Sequence, residues 1–268
     1  MQNIITMTRK MSRQLGTSVR LRVHFAPMGF EVQRVVCPAR TLRADAMILL
    51  TQSRTDKAGP ALERVVQRLR ADHIRHQVLQ CNIWDPPSVV DAVGGIVAAT
   101  PHHDFFFNVS TGAKTACIGG TIASMFWPVR PYYQPVAYGD GPAAADGDPP
   151  VEGMPVFIPT FETPSLERGP VETLKFLIEQ PGPVSKRELM VHMRETDTIH
   201  PRTKPKVSPQ ALHAQADVVL RRLVDWGFVE IAGRGRRMRI GPTEMGRGGA
   251  RMFRHVTQPR PAPAILTT

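Results

Sequence analysis

The chain has 268 residues and a mass of 29.7 kDa, with 34 Lys and Arg against 23 Asp and Glu, a formal net charge of +11. At 42% hydrophobic residues it can bury a core of its own, which excludes a disordered or collagen-like polymer and suits one large domain or two ordinary ones. No apolar run approaches the roughly 20 residues that cross a bilayer, and the basic start at Arg9, Lys10 and Arg13 leads into no hydrophobic signal segment. A cytoplasmic protein without a membrane partner is therefore expected. Cys37, Cys81 and Cys117 show no Cys-x-x-Cys spacing, so buried thiols are expected rather than a disulfide framework or a zinc site, and no metal or cofactor is implied.

Residues 1–18 carry no sustained periodicity and read as a loose extension. From Val19 the text alternates: Val19, Leu21, Val23 and Phe25 fall on one side and Arg20, Arg22 and His24 on the other, a strand signal. The breaker "APMGF" follows, then a helical stretch, "EVQRVVCPARTLRA", and an apolar run, "DAMILLTQ", of the kind that forms a buried parallel strand. Residues 58–72 place Leu62, Val65, Val66 and Leu69 at helical spacing. The cycle repeats with "HQVLQCNI", "PPSVVDAVGGIVAAT", "DFFFNVS", "GAKTACIGGTIASMF" and "YYQPVAY". Alternating strand and helix of this length predicts an α/β domain, a parallel sheet wrapped by helices, over residues 19–162. The Gly, Pro, Ala and Asp-rich stretch from Gly139 to Pro155 predicts a loop or linker, and "VFIPTF" after it a last short strand.

Residues 163–256 read differently, as three helices and a hairpin, followed by a Pro-rich tail over 257–268. Val171, Leu174, Leu177 and Ile178 mark the first helix. Ser185 with Glu188 three residues on is a capping box that opens the second. Ser208-Pro209 opens the third, with Leu212, Ala216, Val219, Leu220 and Leu223 as its apolar stripe. "FVEIAGRGRRMRI" predicts a hairpin, with Val229 and Ile231 on the first arm, Met238 and Ile240 on the second and a Gly233-Arg234-Gly235 turn between them.

The charge is concentrated here. Before residue 165 there are 16 Lys and Arg against 13 Asp and Glu, a net +3; after it, 18 against 10, a net +8. Three helices and a basic ribbon follow the order of a winged helix-turn-helix, in which the third helix enters the major groove of double-stranded DNA and the ribbon runs along a phosphate backbone. Lys204, Lys206 and Ser208 at the third helix's start, Gln210, His213 and Arg221 on its outer face, and Arg234, Arg236, Arg237 and Arg239 in the ribbon are the candidate DNA contacts.

A doubly wound sheet binds ligands beyond the C-terminal ends of its strands. Two loops meet that description: Pro27, Met28, Gly29 and Phe30 after the first strand, and "NVSTGAK" after the fourth, with Asn108, Ser110, Thr111, Gly112 and Lys114. Thr51, Gln52 and Ser53 end the second strand at the same edge. Polar groups, a glycine and a lysine at a helix start suit phosphate or nucleotide. No Gly-x-Gly-x-x-Gly and no Walker lysine motif is present, which argues against dehydrogenase or NTPase chemistry. His102, His103 and Asp104 predict a surface turn at the opposite edge, His73 and His76 solvated side chains, Phe105 to Phe107 core strand, and Gly94, Gly95, Gly119 and Gly120 helix packing.

"VHFAPMGFEVQRVVCPARTLRADAMILLT", "FFFNVSTGAKTACIGGTIAS", "PYYQPVAY" and "LRRLVDWGFVEIAGRGRRMRIGPTEMG" together resemble the CARF (CRISPR-associated Rossmann fold) family, in particular the archaeal CARF/winged-helix transcriptional regulators. The family's fourth-strand loop reads Asn-x-Thr-Gly-Gly-Thr-Lys; Asn108, Gly112 and Lys114 match it, while Ser110, Thr111 and Ala113 depart from it. The resemblance implies a homodimer that senses a cyclic oligoadenylate effector with the sheet domain and binds promoter DNA with the winged helix, a regulator and not an enzyme. The alternative that it also implies is a ring nuclease acting through Lys114.

Overall fold

The computed structural model describes residues 20–53, 57–137, 149–160, 168–196, 198–199 and 208–256. These fall into two compact units that part between residues 160 and 168.

The first unit is a mixed α/β fold around a mostly parallel six-stranded sheet. Its elements are β1 (Arg22–Pro27), α1 (Gln33–Thr41), β2 (Ala46–Thr51), α2 (Gly59–Ala71), β3 (Arg75–Gln80), α3 (Pro86–Ala99), β4 (Asp104–Asn108), α4 (Lys114–Phe126), β5 (Val129–Tyr133) and β6 (Val156–Phe157). The strands lie in the order β3-β2-β1-β4-β5-β6, parallel except for β6, which runs antiparallel beside β5. Val23 to Pro27 pair with Ala46 to Leu50 on one side, and Arg22 to Phe25 with Asp104 to Phe107 on the other, so β1 is central. The β5 strand starts and ends earlier than the "YYQPVAY" segment, because Gln134 and Pro135 leave the ladder before Val136 bridges to Val151.

Both faces of the central strands are covered, which explains their continuous apolar text. On one face Ala26, Met28, Met47 and Leu49 pack against Val35, Val36 and Ala39 of α1 and Ala61, Leu62, Val65 and Leu69 of α2. On the other, glycines let helices approach closely: a Cβ on Gly120 would sit 2.1 Å from the Phe107 ring, one on Gly94 2.4 Å from Trp127, and one on Gly119 2.8 Å from Val89. Phe105, Phe106 and Phe107 are core residues, as expected.

Burial of both faces takes in His24, which shares a side of β1 with Arg22: it is fully buried, stacked on Phe106 at 4.5 Å with Nδ1 3.3 Å from the Tyr132 hydroxyl. Its Nε2 has no hydrogen-bond partner among the described residues. Burial, aided by the positive charges of Arg22 and Arg130 and opposed by Asp45, lowers its pKa to about 3. The turn before β4 forms and His102 is exposed on it, but His103 beside it is buried: its Nδ1 accepts from the Leu21 amide at 3.3 Å, and burial and His102 lower its pKa to about 4. His73 is exposed but His76, within β3, is half-buried.

A histidine with a depressed pKa in the folded state stays neutral there while the unfolded chain takes up a proton below about pH 6.5. Stability conferred by neutral His24 is complete above pH 6.5 and falls between pH 6.5 and 3, by about 1.4 kcal/mol per pH unit for one proton. Urea unfolding at pH 7.5 and 5.5 should show this loss, and His24→Phe should reduce it by about half, the rest belonging to His103 with its own lowered pKa.

The second unit comprises α5 (Arg168–Glu179), α6 (Lys186–Glu195), α7 (Pro209–Asp225), β7 (Val229–Ala232), β8 (Arg239–Pro242) and α8 (Glu244–Met252). Val171, Leu174 and Leu177 of α5 are buried, with Ile178 half-buried, and all five apolar residues of the α7 stripe are buried. The capping box forms, with the Glu188 amide donating to Ser185 Oγ at 3.2 Å and the Ser185 amide to Glu188 Oε2 at 2.7 Å. Val184, between α5 and α6, exchanges backbone hydrogen bonds with Ile240, an isolated antiparallel bridge beside β8. No helix among the described residues is long and apolar enough to cross a membrane.

Candidate functional site

Order reverses in the sheet between β1 and β4: the chain leaves β1 toward β2 and leaves β4 toward β5, and it is at such a reversal, beyond the C-terminal ends of the strands, that open α/β sheets bind ligands. The loops after β1 and β4 touch. Thr111 Oγ1 donates to the Pro27 carbonyl at 2.8 Å, a Cβ on Gly29 would lie 2.8 Å from the Gly112 nitrogen, and one on Gly112 would lie 2.6 Å from Pro27 Cβ. Gly112 has φ of +78°, a left-handed conformation that glycine alone adopts without strain.

Several residues expected to face a ligand instead build the scaffold. Met28 is buried in the α1/α2 core, and its amide donates to the Leu50 carbonyl, continuing the β1–β2 ladder. Pro27 is buried as well. Asn108 is buried, with Oδ1 accepting from the Ser110 amide and Nδ2 donating to the Arg34 carbonyl, both at 2.8 Å. The Ser110 hydroxyl accepts from the Gln134 amide, and Thr51 Oγ1 donates to the Ser53 carbonyl at 2.8 Å. A polar side chain in a loop satisfies buried backbone as readily as it meets a ligand, and sequence spacing does not separate the two roles.

What remains open is smaller: exposed Phe30, Gln52 and Lys114, and half-buried Gly29, Ser53, Gly112 and Ala113. Ala113, the residue before α4, provides no side-chain cap, so the first turn of that helix presents backbone donors beside Lys114. Three neighbours were not foreseen. Glu31 places its carboxylate over Gly29. Arg34 donates from Nε and Nη2 to the Gln134 carbonyl at 3.2 and 3.1 Å. Trp84 stands exposed on the loop after β3, whose Ile83 carbonyl accepts from Thr115 Oγ1 of α4 at 2.9 Å. Burial raises the thiols of Cys81 and Cys117 to about 11, so neither is a ready nucleophile. Among the described residues no cluster of His, Cys, Asp or Glu could hold a metal.

In the second unit Ser208 is the N-cap of α7, its hydroxyl accepting from the Ala211 amide at 3.2 Å. Gln210, His213 and Arg221 are exposed along α7, and Asp217 on that helix pairs with Lys186 of α6. The hairpin tip is wider than the expected three-residue turn: Ala232 pairs with Arg239, and a 3-10 turn over Gly235–Arg237 fills the loop. Ile231 is exposed instead of facing the core with Val229. Arg234, Arg237 and Arg239 are exposed. Lys204, Lys206 and the side chain of Arg236 lie outside the described residues.

Comparison with known proteins adds three kinds of likeness. A curated archaeal protein, the uncharacterized protein MJ1513 of Methanocaldococcus jannaschii, is 25% identical over 136 residues, which is 46% of this chain and 40% of that protein. The chain thus matches about two fifths of that relative's length. Among solved structures, Can2 from Sulfobacillus thermosulfidooxidans in complex with cyclic tetra-adenylate covers 87% of this chain and 61% of its own at 11% identity and a TM-score of 0.37. Enterococcus italicus Csm6 bound to cyclic hexa-2′-fluoro-hexa-dAMP covers 77% and 47% at 12% identity and a TM-score of 0.36. Protein VC1899 from Vibrio cholerae covers 82% and 75% at 13% identity and a TM-score of 0.35. Residues 22–137, from β1 to just past β5, match the protein family described as HFX_2341_N:-like, N-terminal.

Proposed function

We propose that the chain is a nucleotide-responsive DNA-binding regulator. The sheet unit holds a cyclic oligoadenylate where the β1 and β4 loops meet, and the second unit is a winged helix that grips double-stranded DNA. The observation that carries the first half is the direct contact of the two loops at the reversal of strand order, with an uncapped helix start and Lys114 beside it. The choice of cyclic oligoadenylate over other nucleotides rests on the CARF-like motifs around Asn108, Gly112 and Lys114. A ring with two-fold symmetry fits across the axis of a homodimer, where each copy contributes one pair of loops. The second half is supported by the element order, the Val184–Ile240 bridge, and the exposed arginines of the ribbon.

Binding, not cleavage, is the reading that the loop chemistry favours. Ring opening needs a positioned group near the ribose hydroxyl and the phosphate, and the hydroxyls of Ser110 and Thr111 are engaged with backbone. Labelled cyclic oligoadenylate should stay intact over hours with the protein; linear product would make the chain a ring nuclease. A thermal-shift series with cyclic tri-, tetra- and hexa-adenylate tests sensing itself. One ring should raise Tm, by stabilisation of about 2.7 kcal/mol at a hundredfold excess over Kd, and a flat response to all three would overturn the proposal.

A further inference from the structure

Trp84 is 65% exposed. An indole left in water forgoes one of the largest burial terms any side chain offers, and its surroundings give no local reason for it. The turn that carries it is firmly built. Asn82 Oδ1 accepts from the Trp84 amide and the Asn82 carbonyl from the Asp85 amide, both at 3.1 Å, while the Asn82 amide donates to Ser88 Oγ of α3 at 3.1 Å. Ile83 points inward and is buried, and its carbonyl takes the hydroxyl of Thr115, the residue after Lys114. The peptide preceding Trp84 is therefore tied to the first turn of α4, and the indole is held outward at the same edge of the sheet as the two loops. The β1 loop presents a second aromatic ring, Phe30, 63% exposed.

We propose that Trp84 is the base-stacking face of this site, so that the ligand it takes is one with an aromatic base next to a phosphate, not inorganic phosphate or a sugar phosphate. This rests on the nucleotide reading above and adds the group that recognises the base. Stacking on an aromatic face accepts any base, and alanine in its place weakens binding by roughly five- to over a hundredfold per base. A rigid turn lowers the ordering cost of such a contact, because the ring does not have to be recruited from a mobile loop.

The chain has three tryptophans, and the other two are unlike this one: Trp127 is 7% exposed and Trp226 belongs to the second unit. Titration of the full-length protein with cyclic tri-, tetra- and hexa-adenylate should therefore quench intrinsic fluorescence through Trp84. Trp84→Ala should weaken binding of the ring that wild type prefers by at least about tenfold, Trp84→Phe should keep most of it, and Trp226→Phe should retain the quench. Because the side chain is exposed, the unliganded melting temperature of Trp84→Ala should match wild type. If wild type binds a ring and Trp84→Ala binds it equally well, the stacking role is wrong and nucleotide sensing stands. If wild type binds none of the three, both fall. A change in oligomeric state with unchanged affinity would make Trp84 a contact between copies and overturn the assignment.

Discussion

Replacing Gly112 with alanine is expected to destabilise the first unit by about 2 to 5 kcal/mol and to abolish its thermal response to cyclic oligoadenylate. Two costs add. An L-residue held at φ of +78° pays about 1 to 2 kcal/mol against glycine. The new methyl group would then sit 2.6 Å from Pro27 Cβ and 3.0 Å from the Pro27 carbonyl carbon and oxygen. Those atoms belong to the end of a central strand and to the acceptor of the Thr111 hydroxyl, so they do not yield as a flexible side chain would, and overpacking of this kind costs about 1 to 3 kcal/mol. Gly153→Ala separates the two terms: its φ is +64° but no atom of the described residues lies within 4 Å of its Cβ position, so it pays for the dihedral alone. Chemical denaturation of both variants, followed by thermal shift with and without ligand, measures the contact by difference. Equal losses in the two variants would mean that the closeness of the β1 and β4 loops contributes nothing.

That the β1 and β4 loops meet follows from a strand order that periodicity alone does not reveal. The alternation of apolar runs and amphipathic helices is visible from Val19 onward and leads to a wrapped parallel sheet; which strands become neighbours is decided by packing. The same gap explains the errors over individual side chains. "VRLRVHF" reads as one-sided because Arg20 and Arg22 do remain partly in water, yet His24, two residues further into a strand with neighbours on both sides, is buried. Ser110 and Thr111 announce hydroxyls in the right loop, but their direction is set by the Gln134 amide and the Pro27 carbonyl, which lie 24 and 84 residues away in the chain. Trp84 was hidden for the opposite reason. One aromatic residue in "NIWDPP" forms no pattern, and only its exposure on an anchored turn distinguishes it from core. The helical unit was more legible, because its capping box and its α7 stripe are local signals that act within one helix.

The charge asymmetry leads to the other large effect, on the triple variant Arg234→Ala, Arg237→Ala, Arg239→Ala. All three side chains are exposed on or beside the hairpin tip, so their removal should leave folding within about 0.5 kcal/mol of wild type. Their loss should instead appear in DNA binding. Each phosphate contact neutralised by a cation contributes about 0.9 to the slope of log affinity against log salt, so three lost contacts should lower that slope by up to about 2.7 and weaken binding at physiological salt by roughly a hundredfold. The loss should be nearly uniform across sequences, since phosphate contacts fix position and do not read bases. Gln210→Ala and His213→Ala on the exposed face of α7 should do the reverse, relaxing sequence preference while leaving the salt slope almost unchanged. Arg40→Ala is the matched control, because it removes a positive charge from the first unit, where Arg40 pairs with Asp72 at 2.6 Å, and should not change DNA affinity. Mobility shifts against the chain's own upstream DNA, at several salt concentrations, distinguish these patterns. An unchanged affinity and slope in the triple arginine variant would remove the ribbon from the interface and leave the +8 of the C-terminal part as an unspecific surface charge.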